Sequence, residues 1–233
     1  MKQMVVMCYI AVVLCNQSCA EDWTKVAKDS LDYTVTVTCQ KDVLTSVNLG
    51  GFFSVPQLKK SEYGGTGFVV SPEGYILTCH HVVDCATSIE VKWSNGASKQ
   101  AKIHRADKPN DIAILKVDSD KRLRHTQFSL TEPLLAQEVL CLGNAKLEGL
   151  SATRGIVSGL DKTVHISETD KFTGLLQTDA AINTGNSGCP AYGKDGKVVG
   201  MMVAVWGSAE GMAYMVPAKK LKSRYEALME EAR

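Results

Sequence analysis

Tyr33-Thr34-Val35-Thr36-Val37-Thr38 alternates aromatic or aliphatic side chains with threonine. A period of two, written in β-branched and aromatic residues, is the mark of a strand with one face buried. Outward from this stretch the same period recurs. Gly67–Val70, Tyr75–Leu77, Ser88–Lys92, Ala101–His104 and Ile112–Val117 read as strands, and so do Glu138–Leu142, Ser151–Ser158, Leu175–Thr178, Val198–Val205 and Met212–Val216. Turn signals separate them: Pro72-Glu73-Gly74, Asn95-Gly96, Pro109-Asn110 and Lys194-Asp195-Gly196. Many short strands between turns predict an all-β protein, a barrel or a sandwich. Two segments depart from the period. Glu21–Ser30 reads as a short helical lead-in with Trp23 and Val26 on one side, and Leu221, Tyr225 and Leu228 set a helix over 217–231, with Pro217 in its first turn. Gln40–Gly65 is expected to be a long surface loop, and Asp118–Pro133 a connection between two β-halves.

The 233 residues carry 26 Lys+Arg against 25 Asp+Glu, and 45% are hydrophobic. That balance excludes a disordered or collagen-like chain and a multi-pass membrane protein. Without a basic excess to release counterions, no nucleic acid partner is expected. Met1–Ala20 has the order of a secretory signal peptide: Lys2, an apolar run from Met4 to Leu14, then Ser18-Cys19-Ala20. The run is too short for a membrane-spanning helix, so export to a periplasmic or secreted location is expected, without stable membrane insertion. Beyond this segment remain Cys39, Cys79, Cys85, Cys141 and Cys189, an odd set, with Cys79–Cys85 the expected disulfide because the two lie close in sequence.

Three segments hold the reactive side chains. They are Leu77-Thr78-Cys79-His80-His81-Val82-Val83, Asn110-Asp111-Ile112-Ala113, and Asp179-Ala180-Ala181-Ile182-Asn183-Thr184-Gly185-Asn186-Ser187-Gly188-Cys189-Pro190. Acyl-bond hydrolysis at neutral pH needs a nucleophile, a base with a pKa near 6.5, and a carboxylate to hold that base. Ser, His and Asp here supply one of each. Gly185 can take backbone angles closed to other residues, so the Gly185-Asn186-Ser187 segment can turn its amides toward a developing oxyanion.

The order His81, Asp111, Ser187 and the words around each resemble the trypsin-like serine proteases of the HtrA (Deg) type. Gly67-Phe68-Val69-Val70, Gly143-Asn144 and Arg154-Gly155-Ile156-Val157-Ser158 carry the resemblance further, from about Leu31 to Lys219. It implies a chymotrypsin-like double β-barrel, with a first barrel at about 31–118, a second at about 134–216 and a C-terminal helix. His81 would be the general base, Asp111 its orienting carboxylate and Ser187 the nucleophile of an acyl-enzyme. No cofactor is implied. His80 would line the wall or face outward, and His104, His125 and His165 match no motif and are expected at the surface.

Proteases that cut after Arg or Lys carry an acid six residues before the nucleophile, where this chain has Ala181. A small or medium aliphatic P1 residue in a protein or peptide substrate is therefore expected. Thr184, Met201, Val203 and Ala204 are candidate substrate-binding residues, the strand from Met201 being where an extended substrate would pair. The pattern departs from the family at Cys189, where a second Gly is usual. The few residues after Lys219 offer no PDZ domain, and a homotrimer is compatible with the resemblance. Two readings compete: a protease-fold binding protein that is inactive or activator-dependent at rest, and a metal protein built on Cys79, His81 and Cys85. The metal reading lacks a second ligand pair. An α/β-hydrolase fails because its His comes last in the chain and its Gly-x-Ser-x-Gly would break at Cys189.

Overall fold

The computed structural model describes residues 22–48, 54–165, 171–205 and 211–231. The expected signal segment lies outside these residues. A short helix α1 (Trp23–Ser30), capped by the Asp22 side chain on the Thr24 amide, leads into β1 (Thr34–Asn48). Its Trp23 and Val26 pack on the chain's own core. β1 and β2 (Ser54–Val69) pair along their whole length, followed by β3 (Tyr75–Thr78), a one-turn helix α2 (His80–Val83), β4 (Ser88–Trp93), β5 (Ser98–Asp107) and β6 (Ile112–Val117). The order β1-β2-β3-β6-β5-β4 closes on itself through β4 against β1. The alternation around Val35 explains why: Val35, Val37 and Cys39 are fully buried inside this barrel, while Thr36 and Thr38 are half-buried outside it.

β7 (Glu138–Gly143), β8 (Ser151–His165), β9 (Lys171–Thr178), β10 (Pro190–Tyr192), β11 (Val198–Val205) and β12 (Ala213–Pro217) form a second closed barrel in the order β10-β11-β12-β9-β8-β7. Closure removes the open edges that a flat sheet would leave to water or to other chains. Between the barrels, Thr34 Oγ1 and Tyr192 Oη meet at 2.9 Å in a buried contact, and the Tyr33 ring stands edge-on to Tyr192. The C-terminal helix α3 (Ala218–Glu230) lays the buried Leu221 and Leu228 on the core. Its Arg224 donates to Asp107 at 2.6 Å.

Two expectations are corrected here. Gln40–Gly65 is not a loop: its described residues continue β1 and β2 as a two-stranded arm with register Asp42↔Lys60 and Leu44↔Leu58. Leu44 and Leu58 are 70% and 68% exposed. With both faces of the ribbon in water there is no buried side to impose a period of two, so the strand signal is missing from the sequence. Cys79 and Cys85 do not form a bridge. Cys79 is fully buried with its thiol toward the Met202 carbonyl at 3.2 Å, whereas Cys85 is exposed in a left-handed conformation; both are free, as are Cys39, Cys141 and Cys189.

Candidate active site

Asp111 owes its position to a tight turn. Lys108–Asn110 form one 3-10 turn, with Pro109 favouring its start, and Asp107 caps it by accepting from the Asn110 amide (3.3 Å) and side chain (2.9 Å). Asp111 then takes left-handed backbone angles, φ 53° and ψ 43°, uncommon for a side-chain-bearing residue and tolerated best by Asp and Asn. This reversal sends the chain back into β6 while directing the carboxylate toward α2. His81 is seated there twice: its amide donates to Asp111 Oδ1 at 2.9 Å, and its Nδ1 lies 2.7 Å from Oδ2. The His80 amide donates to the Asp111 carbonyl at 3.2 Å. The carboxylate is 5% exposed and the imidazole 49%, so one edge of the ring is held in the protein and the other faces solvent.

Ser187 lies on the loop between β9 and β10, which is tied to the His81 segment through Thr66 of β2. The Thr66 amide donates to the Ser187 carbonyl (2.8 Å), its hydroxyl donates to the Gly185 carbonyl (2.8 Å), and its own carbonyl accepts from Thr78 Oγ1 (2.7 Å). The same Thr66 hydroxyl accepts from the Asn144 amide at 2.9 Å. One buried threonine thus joins the Ser187 loop, the strand before His81 and the end of β7. Gly188 is pressed against the same strands: a Cβ there would collide with the Thr66 carbonyl and the Thr78 hydroxyl and lie 3.1 Å from the Cys79 amide nitrogen. Met202 closes the ring, its carbonyl accepting from the Gly188 amide (2.8 Å) and from the Cys79 thiol.

The loop around Ser187 leaves two backbone amides without a partner among the described residues. Gly185 has φ +95°, and an added Cβ would collide with the Asn144 carbonyl. The Thr184 carbonyl accepts from the Lys146 amide at 2.7 Å. In a trans peptide the N–H points opposite the C=O, so this bond aims the Gly185 amide away from Lys146. Among the described residues, the Gly185 and Ser187 amides donate to no group, whereas the Asn186 amide donates to Asn183 (3.0 Å). Asn186 is therefore removed from the donor set expected from Gly185-Asn186-Ser187.

Other expected residues fall in different places. Ala181 and Thr184 are exposed, on the approach to the loop. Met201 is fully buried in the core and Val203 nearly so, which leaves Met201 no surface for a substrate; the Ala204 side chain lies outside the described residues. His80 is half-buried, and His125 and His165 are exposed as expected. His104 is half-buried rather than fully exposed, its ring 5.0 Å from that of Tyr75. Its Nε2 is buried without a partner among the described residues. Burial, then Arg105 and Lys116, hold its pKa below the usual histidine value. Cys79, His81 and Asp111 place one ligand atom each within 4.8 Å of one another, while the exposed Cys85 is not part of that group. Sequence reading missed Thr66 and Asn144 as organisers, although both stand beside a glycine at a strand position, in Gly65-Thr66-Gly67 and Gly143-Asn144.

Comparison with known proteins places this geometry. Residues 65–201 match the trypsin-like peptidase domain. A probable periplasmic DegP-like serine endoprotease of Rickettsia prowazekii is 30% identical over 213 residues, covering 88% of this chain and 41% of the relative. The Do-like serine protease HtrA of Bacillus subtilis is 32% identical over 223 residues, covering 90% and 50%. The chain thus spans half or less of the length of these curated relatives. An HtrA-type protease solved with a decapeptide superposes with a TM-score of 0.81 at 25% identity, covering 91% of this chain and 68% of that one. The serine endoprotease from Yersinia pestis gives 0.71 at 27% identity, covering the same shares. The chain belongs to the trypsin-like peptidase domain family, and the relatives and solved structures it resembles here are of the DegP/HtrA type.

Proposed function

We propose that this chain is a serine endopeptidase in which Asp111, His81 and Ser187 act as a catalytic triad. The observation that carries the reading is the double seating of His81 on Asp111. With Nδ1 held at 2.7 Å from the carboxylate, the ring presents Nε2 on its exposed edge. Nε2 takes the Ser187 Oγ proton as Oγ attacks the substrate carbonyl, and Asp111 stabilises the imidazolium that forms. The Gly185 and Ser187 amides receive the oxyanion, each donor contributing on the order of 3 kcal/mol to lowering the barrier. His81 then returns the proton to the leaving amine, and water discharges the acyl-enzyme by the same route.

The substrates are protein or peptide segments in extended form. The uncharged Ala181 position favours a small or medium aliphatic P1, because a basic side chain there would lose its hydration without gaining a partner. The relatives named periplasmic and the Met1–Ala20 pattern together support export. Digestion of unfolded casein by residues 21–233, with product ends sequenced, tests this reading. Cleavage after aliphatic residues is expected. Cleavage that survives in Ser187→Ala unchanged, or that follows Arg and Lys, contradicts it.

A further inference from the structure

The Asp111–His81 pair has a third neighbour that a proton relay does not use. Cys79 Sγ, a His81 ring nitrogen and an Asp111 carboxylate oxygen lie within 4.8 Å of one another, from three positions fixed by different constraints. Cys79 follows β3 as the N-cap of α2 with its thiol on the Met202 carbonyl, His81 sits in α2, and Asp111 follows the 3-10 turn. From this donor set we infer that Cys79, His81 and Asp111 form an inhibitory binding site for a borderline-soft divalent cation, Zn2+ being the physiological case.

The chemistry of the donors selects the ion. Thiolate, imidazole and carboxylate are the ligand types of four-coordinate zinc, whose bonds of about 2.0–2.3 Å set neighbouring donors about 3.3–3.7 Å apart; the three donors already lie within 4.8 Å, and Nδ1 and Oδ2, now at 2.7 Å, must part to admit the ion. Hard cations such as Mg2+ prefer oxygen donors and do not match a thiol. Charge also balances. A dication with one thiolate, one carboxylate and one neutral imidazole is neutral overall, which suits a pocket where two of the three donors are almost wholly buried. The thiol proton leaves to solvent, and the imidazole proton moves from Nδ1 to Nε2 as Nδ1 turns to the metal. A water completes the fourth position. Entry runs past the half-exposed imidazole, which swings aside while the metal inserts.

Binding replaces the 2.7 Å Nδ1–Oδ2 bond with two metal bonds and puts a proton on Nε2, the atom that must accept one from Ser187. The inferred inhibition rests on the proposed triad; metal binding itself does not. The test separates them by using Co2+ as a spectroscopic probe of the whole chain in a non-thiol reductant. Wild type is expected to show a thiolate-to-cobalt charge-transfer band that Zn2+ abolishes by displacement. Cys85→Ser should keep the band, since that exposed thiol is elsewhere, and Ser187→Ala should keep it although it cleaves nothing. Cys79→Ser should lose the band, and Asp111→Asn should weaken cobalt binding by at least about 10-fold. If Cys79→Ser does not fold, the Asp111→Asn and Cys85→Ser pair decides. No band in wild type, a band that follows Cys85, or unchanged affinity in Asp111→Asn overturns the site. In casein digestion Zn2+ should slow the wild type, and should require at least about a 10-fold higher concentration to slow Asp111→Glu or Cys79→Ala to the same fraction of their own rates.

Discussion

At Thr66 a single side chain carries a share of the site's geometry that its size does not suggest. Its hydroxyl donates to Gly185 and accepts from Asn144, so Thr66→Val leaves a buried carbonyl and a buried amide without partners. Loss of such bonds costs about 1–3 kcal/mol, to be read from urea unfolding. Turnover should fall by about 10- to 100-fold, less than the 10²–10³ for removing an oxyanion donor outright, because the amides remain and only their anchor is lost. Thr66→Ser, which keeps the hydroxyl, should restore most of both. His104 supplies a pH dependence. Its folded pKa lies below the unfolded value, so the unfolded chain binds the proton more readily. Its contribution to stability is present above about pH 6.5 and is lost as pH falls through the folded value. His104→Gln should flatten that acid-side decline in melting temperature; an unchanged slope would assign the decline to other groups.

The elements differ in how plainly the sequence announces them. β6 and β11 match their expected bounds because apolar runs between turn signals leave no other reading. β10 escaped, being three residues long and beginning with Pro190. The β1–β2 arm escaped because nothing buries it. If the arm is supported only by its own ladder, it is dispensable to the barrel. Joining Asp42 to Lys60 through Asn-Gly keeps their register and supplies the turn such a hairpin prefers. The shortened chain should keep its melting temperature within a few degrees; global unfolding would show that the arm supports the barrel. The tie between α3 and the turn before Asp111 predicts the opposite behaviour. Arg224 is partly exposed and Asp107 is buried, so Arg224→Ala should cost about 1 kcal/mol after screening and also lower kcat by loosening the turn that presents Asp111. A stability loss with kcat untouched would confine Arg224 to holding the helix.

For the whole molecule, the two barrels bury their cysteines rather than cross-linking them. Burial pushes the Cys39 thiol up to about 11 and that of Cys141 to about 12, and raises Cys79 and Cys189 well above the usual range. A thiol reagent at neutral pH should label Cys85 rapidly in native residues 21–233 and the other four only on unfolding. Rapid labelling of Cys79 would show that the region between the barrels opens. Alternation indicated an all-β protein, the family resemblance supplied the two barrels, and local words singled out His81, Asp111 and Ser187 as candidates. The contacts uniting those residues were hidden, since Thr66 and Ser187 are far apart in the chain and meet only after both barrels close. The fate of Cys79 was hidden for the same reason: spacing offered Cys85 as its partner, and folding gave it the Met202 carbonyl.

The central claim is that His81, held by Asp111, makes Ser187 a nucleophile. The most direct test is intact-mass and peptide mapping after reaction with a fluorophosphonate, which captures an activated serine without needing a known substrate. The account predicts a single adduct, on Ser187, absent from Ser187→Ala and formed far more slowly in His81→Ala. An adduct on another serine, or a rate at Ser187 unaffected by removing His81, would contradict it.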